Sequence, residues 1–388
     1  MRLVLVAPLP PAPDGIADYA ARLGRAYAEE GVEVAALTPT ARPGRDVPVL
    51  GQVGWSPRRW LAAYRSARSW RPDAVHVQHS VATYGPGLLP LWLLTAALRR
   101  HGADVVVTHH EVTRDLARLG RPGRAYYRLV ARATDRTHVH TAAAAATAHG
   151  QVGIPADRVL VHPHPVYPLP AGSVSGRELR ERHALGSSRV LLLFGYVHVE
   201  KGLRELVEGL AVLRDRDPAA VSGLRLVVAG DVRPRPPAFG RFEQADRDYL
   251  DAVRARVDEL GLGAAVRFVG RVPDPEVAGW FAAADLVVLP YTATEQSGVA
   301  GLALAAGRPV LATSVGGLGE VFSGVLPTFA SLAPADVADG VIDGLQAASG
   351  SGWQERYAEI VDAASPRRLV QQVLATLDRP AERTGATT

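Results

Sequence analysis

Lys201 is the only lysine in a chain whose lysines and arginines together number 43. It lies in FGYVHVEKGLREL, where a strand pattern ends at Phe194, Gly195 turns the chain, and Lys201-Gly202 opens a helical pattern. An ammonium delivered to the start of a helix joins backbone amides that already favour anions, so this segment reads as a phosphate site. Its spacing is GxxxxxKG followed by Leu203, not GxxxxGK[ST], and no hydroxyl is offered to magnesium as a Walker loop would offer one. A compact ammonium differs from a planar guanidinium in such a place. The bland alternative is codon bias, since the chain also lacks asparagine and has methionine only at position 1.

A second group follows the apolar run Leu286 to Leu289 in LPYTATEQSGVAGLALAAGRPVLATSVGGLGE. A polar loop holds Glu295 and Gln296, and Ser297-Gly298-Val299 opens a helix whose amides can cap a diphosphate. A carboxylate beside phosphates would repel them, so Glu295 suits sugar hydroxyls better; otherwise it is a plain acid of a helix's first turn. Gly316-Gly317 supplies another close turn. Thr108-His109-His110-Glu111 ends the strand pattern Asp104 to Val107, and His76 and His79 end the one before. Adjacent histidines on an emerging loop cannot both point the same way: one can face the ligand edge while the other packs outward, and packed structural histidines remain the alternative for each. No third and fourth ligand at a defined spacing accompanies them, so a metal site is not expected. The loop Pro8 to Gly15 turns from strand to helix and can hold an anion, although it lacks GxGxxG and Gly15 also fits plain turn chemistry.

These groups need elements to hold them. Arg2 to Ala7 reads as a buried strand, a helix follows from about Ile16 to Glu30, and Val32 to Leu37 is a second strand. Further apolar runs at Ala74 to Val77, Asp104 to Thr108, Thr137 to His140 and Arg158 to His162 alternate with helical stretches, which implies a parallel sheet. After a Pro-, Gly- and Ser-rich stretch the rhythm restarts with strands at Val190 to Phe194, Leu224 to Ala229, Val266 to Val269, Leu286 to Leu289 and Pro309 to Ala312. Helices are expected near Leu203 to Arg214, Arg247 to Leu260, Pro275 to Ala283 and Val299 to Ala306, and beyond about Ala333 the pattern is purely helical. The expected organisation is a first α/β domain over 1–165, a linker over 166–188, a second over 189–365, a helix over 366–378 and a flexible tail over 379–388. Two doubly wound, Rossmann-like domains would face each other across a cleft at their C-terminal strand edges, where such sheets bind ligands.

Composition excludes several classes. A chain of 388 residues, 47% hydrophobic, can fill the cores of two or three domains. Zero cysteines exclude disulfides, thiolate metal sites and a cysteine nucleophile. A net charge of +4 gives little drive toward nucleic acid. The opening MRLVLVAPLPP has too short an apolar run for a signal peptide, and the cytoplasm is the expected compartment. Leu88 to Leu98, with Arg99 and Arg100 behind it, is about half a membrane span; it allows at most peripheral membrane contact, a buried helix being its commoner meaning.

At these residues, and in their order over positions 1–377, the chain resembles the retaining GT-B glycosyltransferases of family four. PDGIADYAARL resembles the family's N-domain loop near acceptor and phosphates, VVVTHHE its TxHD-like segment, and FGYVHVEKG its GRxxxxKG. VVAGD and FVGRVPDPEVAGWFAAADLVVLPY resemble its nucleotide-binding strands. The resemblance implies that Lys201 contacts the diphosphate, His110 the donor sugar and Glu295 that sugar's hydroxyls. Gly230, Asp231, Arg271 and Val272 would border the base. Gly15, Gly195, His198 and the Gln296 to Val299 turn would lie along the donor, and Asp14, Gly15, His79, His109 and Glu111 on the acceptor side. The C-terminal helices would pack back toward the N-terminal domain.

Two departures stand out. Tyr196 replaces the arginine that usually follows the glycine of the phosphate motif. Leu302-Ala303 occupy the place of a second glutamate that binds ribose, forgoing a charge-assisted hydrogen bond of ~1.5 to 3 kcal/mol. The implied reaction moves a hexose or related sugar from a UDP- or GDP-type donor to an acceptor with retention, without metal or cofactor, and the departing diphosphate itself can accept the acceptor's proton. Two other readings share the architecture: a nucleotide-sugar epimerase, which would turn over donor without acceptor, and a non-catalytic nucleotide-sugar-binding protein.

Overall fold

Runs rich in valine, leucine and alanine form central strands buried on both faces, and in the computed structural model they build two parallel sheets. The structure describes residues 1–12, 15–44, 46–54, 56–84, 87–235 and 239–377. It divides into two units: one runs from Met1 to Pro165 and resumes at Ala364, the other spans Val166–Ala363.

The first unit holds β1 (Arg2–Val6), β2 (Glu33–Thr38), β3 (Val49–Gln52), β4 (Ala74–His79), β5 (Asp104–His109), β6 (Arg136–Val139) and β7 (Val159–Val161) in the order β3-β2-β1-β4-β5-β6-β7. Val4, Val75 and Val105 lie level across the three central strands. With Val6, Val77 and Val107 they form a dry face covered by Trp60, Ala63 and Ala67 of the Pro57–Trp70 helix and by Leu91, Leu94 and Leu98 of the Leu88–Arg100 helix. Alternation turns His76, Thr108 and His138 to the opposite face. There Tyr27 of the Gly15–Glu29 helix meets His76, its hydroxyl 2.8 Å from Nδ1. The Pro366–Leu377 helix belongs to this unit and is tied to Glu30 by Arg367 at 2.8 Å and Gln371 at 3.1 Å.

The second unit holds β8 (Arg189–Phe194), β9 (Leu224–Ala229), β10 (Val266–Phe268), β11 (Leu286–Leu289), β12 (Val310–Thr313) and β13 (Thr328–Phe329) in the order β10-β9-β8-β11-β12-β13. In both sheets the order therefore runs outward in two directions from the unit's first strand, the doubly wound arrangement with a switch point between first and fourth strands.

The structure corrects several expectations. Residues 166–188 are more than a linker: Ser175 and Glu178 form a reciprocal cap on a helix, Gly176–Arg182, that belongs to the second unit. Arg180 there donates to the Ala283 carbonyl at 2.7 Å and to Asp285 at 2.7 Å. A side chain at Gly176 would sit 2.7 Å from the Ala283 nitrogen. The helix expected from Arg247 starts two turns earlier, as Gly240–Glu259. Strands β3 and β13 lie outside the strands expected from the sequence. The tail over 379–388 lies outside the described residues.

Candidate active site

Because β8 and β11 are neighbours at the switch point, the loops that leave them are brought side by side. One carries Gly195 to Gly202, the other Tyr291 to Gly298, and the Thr292 amide donates to the Glu200 carbonyl at 3.0 Å to join them. Gly195 has φ +96°, and a Cβ there would lie 3.2 Å from Val299, so the turn runs tight against the Gly298–Ala305 helix. Gly202 has φ +68°, and a Cβ would overlap the Pro290 carbonyl oxygen at 1.8 Å. Backbone fit therefore fixes where Lys201 leaves the chain.

The Lys201 ammonium lies 3.6 Å from the centroid of the Tyr291 ring, a cation–π contact that aims it without neutralising it. Tyr291 is itself buried, and its carbonyl accepts from the Thr313 hydroxyl at 2.7 Å. Ser297 caps the following helix, its Oγ accepting from the Ala300 amide at 3.3 Å. The neighbouring amides of that first turn have no acceptor within the helix. Half-buried Glu295 precedes them, its carbonyl accepting from Gly317 at 3.1 Å. A Cβ on Gly316 would strike the Thr294 carbonyl oxygen at 1.8 Å, so the glycine turn after β12 closes on the Glu295 loop. The Thr294 hydroxyl donates to the Gln296 carbonyl at 2.6 Å and shapes the same loop.

Around this centre, His198 Nδ1 stands 4.0 Å from a Glu200 carboxylate oxygen. A Cβ on Gly230 would sit 1.8 Å from the Gly195 carbonyl oxygen, so the turns after β8 and β9 touch. Asp231 turns inward on its own loop: its carboxylate accepts from the Val232 amide at 2.7 Å and its carbonyl from Val197 at 3.1 Å. Arg271 and Val272 follow β10, two strands out from β8. Two further residues stand at this place. Tyr291 reads as a core aromatic until the ammonium is seen above it, and the Arg233 guanidinium lies 5.9 Å from the Tyr196 ring, bringing a cation beside the position where the family arginine is missing.

In the first unit Gly15 starts its helix with open space where a Cβ would be; Asp14 lies outside the described residues. His109 and His110 do diverge. His79 and His109, expected on the acceptor side, are instead buried beneath the Val112–Arg132 helix. His79 Nε2 meets the Tyr126 hydroxyl at 3.0 Å, and the Nδ1 atoms of the two histidines lie 3.1 Å apart. Strand alternation explains this, since both share a face with the valines. Glu111 uses one carboxylate oxygen for the Ser80 hydroxyl at 3.0 Å and the other for Arg114 at 2.7 Å.

His110 turns to the opposite face, where its Nε2 lies 2.9 Å from the Gln78 side-chain oxygen and its ring meets Tyr19 edge-on at 5.0 Å. Beside it stand His140 and, around Tyr19, His164. His76 Nε2 and His138 Nδ1 both reach the Thr108 hydroxyl, at 2.7 and 2.9 Å, extending the chain that begins at Tyr27. Burial drives these imidazoles toward neutrality: His76 and His79 are lowered to about 3, His164 to about 4, and His110, His138 and His140 well below their ordinary value. Among the described residues, no group of three or more His, Asp or Glu side chains is arranged to hold a metal ion.

Comparison with known proteins bears on both units. HepE of Anabaena in complex with UDP superposes with a TM-score of 0.72, covering 97% of this chain and 99% of that one at 18% identity. Sucrose-phosphate synthase of Thermosynechococcus elongatus gives 0.69, covering 97% and 98% at 18% identity. Two Rossmann-like parallel-sheet units with these neighbours define the GT-B class of fold. Residues 188–347 match the model for glycosyl transferases group 1, and residues 14–165 that for the glycosyl transferase 4-like domain. The chain belongs to the group 1 glycosyltransferases of family four. The 2-deoxystreptamine N-acetyl-D-glucosaminyltransferase of Streptomyces fradiae is 29% identical over 93% of this chain and 88% of its own length. The D-inositol 3-phosphate glycosyltransferase of Streptomyces griseus is 31% identical over 69% of this chain, and that of Jonesia denitrificans 36% over 36%. These last matches span only 51% and 30% of the relatives' own lengths.

Proposed function

We propose that this protein transfers a sugar from a nucleoside diphosphate sugar to a hydroxyl acceptor, with retention at the anomeric carbon and without an essential metal. The observation that carries the reading is the Lys201 ammonium, held over Tyr291 beside the Ser297-capped helix start at the switch point of the second sheet. When the bond between anomeric carbon and phosphate oxygen breaks, negative charge grows on the diphosphate and positive charge on the sugar ring. Lys201 and the first-turn amides stabilise the former in a fixed geometry, and this is where such groups act most strongly. Arg233, lying on Tyr196, adds a second cation in place of the missing arginine.

Glu295 accepts hydrogen bonds from hydroxyls of the donor sugar and fixes its orientation. His110, kept neutral by burial and by its neighbouring imidazoles, serves as a hydrogen-bonding group on the sugar rather than as a charge. The acceptor hydroxyl enters as its proton passes to the departing diphosphate oxygen, so formation of the new bond from the anomeric carbon to the acceptor oxygen and cleavage of its bond to the phosphate oxygen stay on one face. UDP in the HepE complex makes a uridine donor the first choice. Incubation with UDP, GDP, ADP and TDP sugars, followed by mass spectrometry and thermal melting, tests the reading. Stabilisation by one nucleotide class and slow release of its diphosphate are expected; conversion to an isomeric sugar nucleotide would replace transfer by epimerisation.

A further inference from the structure

The Pro57–Trp70 and Leu88–Arg100 helices bury one side over the valine face of the first sheet and turn the other outward. Neither contains an acid. From residue 47 to residue 103 the chain carries seven arginines and one acid, Asp73, whose carboxylate accepts from the Arg2 backbone nitrogen at 2.7 Å. On the first helix Arg58, Leu61, Arg65 and Arg68 recur at helical spacing and are all exposed. On the second, Leu89, Leu93 and Arg100 form a similar exposed stripe. Leu61, Leu89 and Leu93 show 49%, 56% and 52% of their surface.

Where the two helices end, a groove of about 820 Å³ is lined by Arg65, Arg68, Arg71 and His101. Among the described residues none of these three guanidinium groups has an ion-pair or hydrogen-bond partner. Arg99 nearby is paired to Asp135 at 2.7 Å.

We propose that this two-helix face docks the protein on an anionic lipid surface. Leucines interleaved with free guanidinium groups suit the boundary between headgroups and acyl chains, the apolar tips entering it and the cations meeting lipid phosphates. A protein–protein interface centre is depleted of charge, and a single-strand nucleic-acid groove carries stacking aromatics, and this face is neither. No helix among the described residues is long and apolar enough to cross a membrane, so the contact is peripheral.

Flotation of the full chain with vesicles tests it, using phosphatidylglycerol mixed into phosphatidylcholine against phosphatidylcholine alone. The protein is expected to float with the anionic vesicles only, and to be released by about 0.5 M salt. Arg65→Glu with Arg68→Glu, and separately Leu89→Ser with Leu93→Ser, should each weaken partitioning roughly tenfold or more while leaving the melting temperature near that of the parent. Absence of binding to anionic vesicles at low salt would overturn the proposal. So would binding that neither double variant weakens, or a dimer dissolved by the leucine variant, which would assign the face to a second copy of the chain.

Discussion

In the proposed reaction Lys201 and Glu295 divide the labour of the second unit's site by charge, the ammonium meeting the diphosphate and the carboxylate the sugar. Replacing Glu295 by glutamine keeps the size and removes the charge. Transfer should fall and the preference between two sugars on one nucleotide should shift, while affinity for the bare nucleoside diphosphate changes little, because that product lacks the hydroxyls. Calorimetry with the bare nucleotide and competition between two donors check both halves; a large loss of nucleotide affinity with sugar preference intact would put Glu295 on the ribose. Tyr291→Leu should lower turnover about 2- to 30-fold, the worth of a cation–π contact of ~0.5 to 2 kcal/mol, while Tyr291→Phe keeps the ring and most of the rate. Equal rates in both variants would remove the ring from the account. Lys201 was legible in the sequence because it is the sole lysine, at a strand-to-helix turn. Tyr291 and Arg233 were not, since an aromatic after a strand looks like core and one arginine among many carries no signal until distance shows what it touches.

At the scale of elements, the turns do the positioning and leave no room for a side chain. Gly202→Ala would force a Cβ into the Pro290 carbonyl oxygen at 1.8 Å in a left-handed backbone. It should cost ~2 kcal/mol or more in stability and reduce turnover by moving Lys201; denaturant unfolding and initial rates read the two effects separately. A variant as stable and active as the parent would show that the turn can relax. The central strands were readable because buried parallel strands are continuous apolar runs. Strands β3 and β13, of four and two residues, lie at sheet edges and carry too little pattern. The Gly176–Arg182 helix was hidden by flanking proline, glycine and serine, and its capping box, Ser175 to Glu178, was the available clue. Adjacency near a strand end does not say which face a ring takes; alternation counted from the valines puts His79 and His109 on the packed face, where both are buried.

For the molecule as a whole, the buried histidines of the first unit link stability to pH. His76 and His79 titrate near 3 and His164 near 4 in the folded chain, against 6.5 when unfolded. Below 6.5 the unfolded chain binds more protons, so this stability is complete above that pH and is lost progressively toward 4 and then 3. At about pH 5.5 each of the three should have cost ~1.4 kcal/mol, so that about 4 kcal/mol is the least loss expected, His110, His138 and His140 adding to it in the same direction. Denaturant unfolding at about pH 7.5 and 5.5 checks the sum, and unchanged stability would mean that these rings reach solvent. Transfer should also survive exhaustive chelation, because in the proposed reaction Lys201 and the helix-start amides meet the charge on the diphosphate; loss in EDTA restored by magnesium or manganese would reverse that assignment.

The most direct test of the phosphate site is the turnover of Lys201→Ala beside the parent protein with the donor that the nucleotide-sugar screen identifies, each also melted thermally. The ammonium acts on charge that is larger in the transition state than in the bound donor, so turnover should fall by about a hundredfold or more, ~2.7 kcal/mol, with little change in melting temperature. Lys201→Arg should recover only part of the rate, because the longer planar fork, although it can stack on Tyr291, does not put its charge where the compact ammonium does. A Lys201→Ala protein that folds normally and keeps more than about half the parent rate, when even a tenfold loss is only ~1.4 kcal/mol, would contradict the assignment of the diphosphate to this loop.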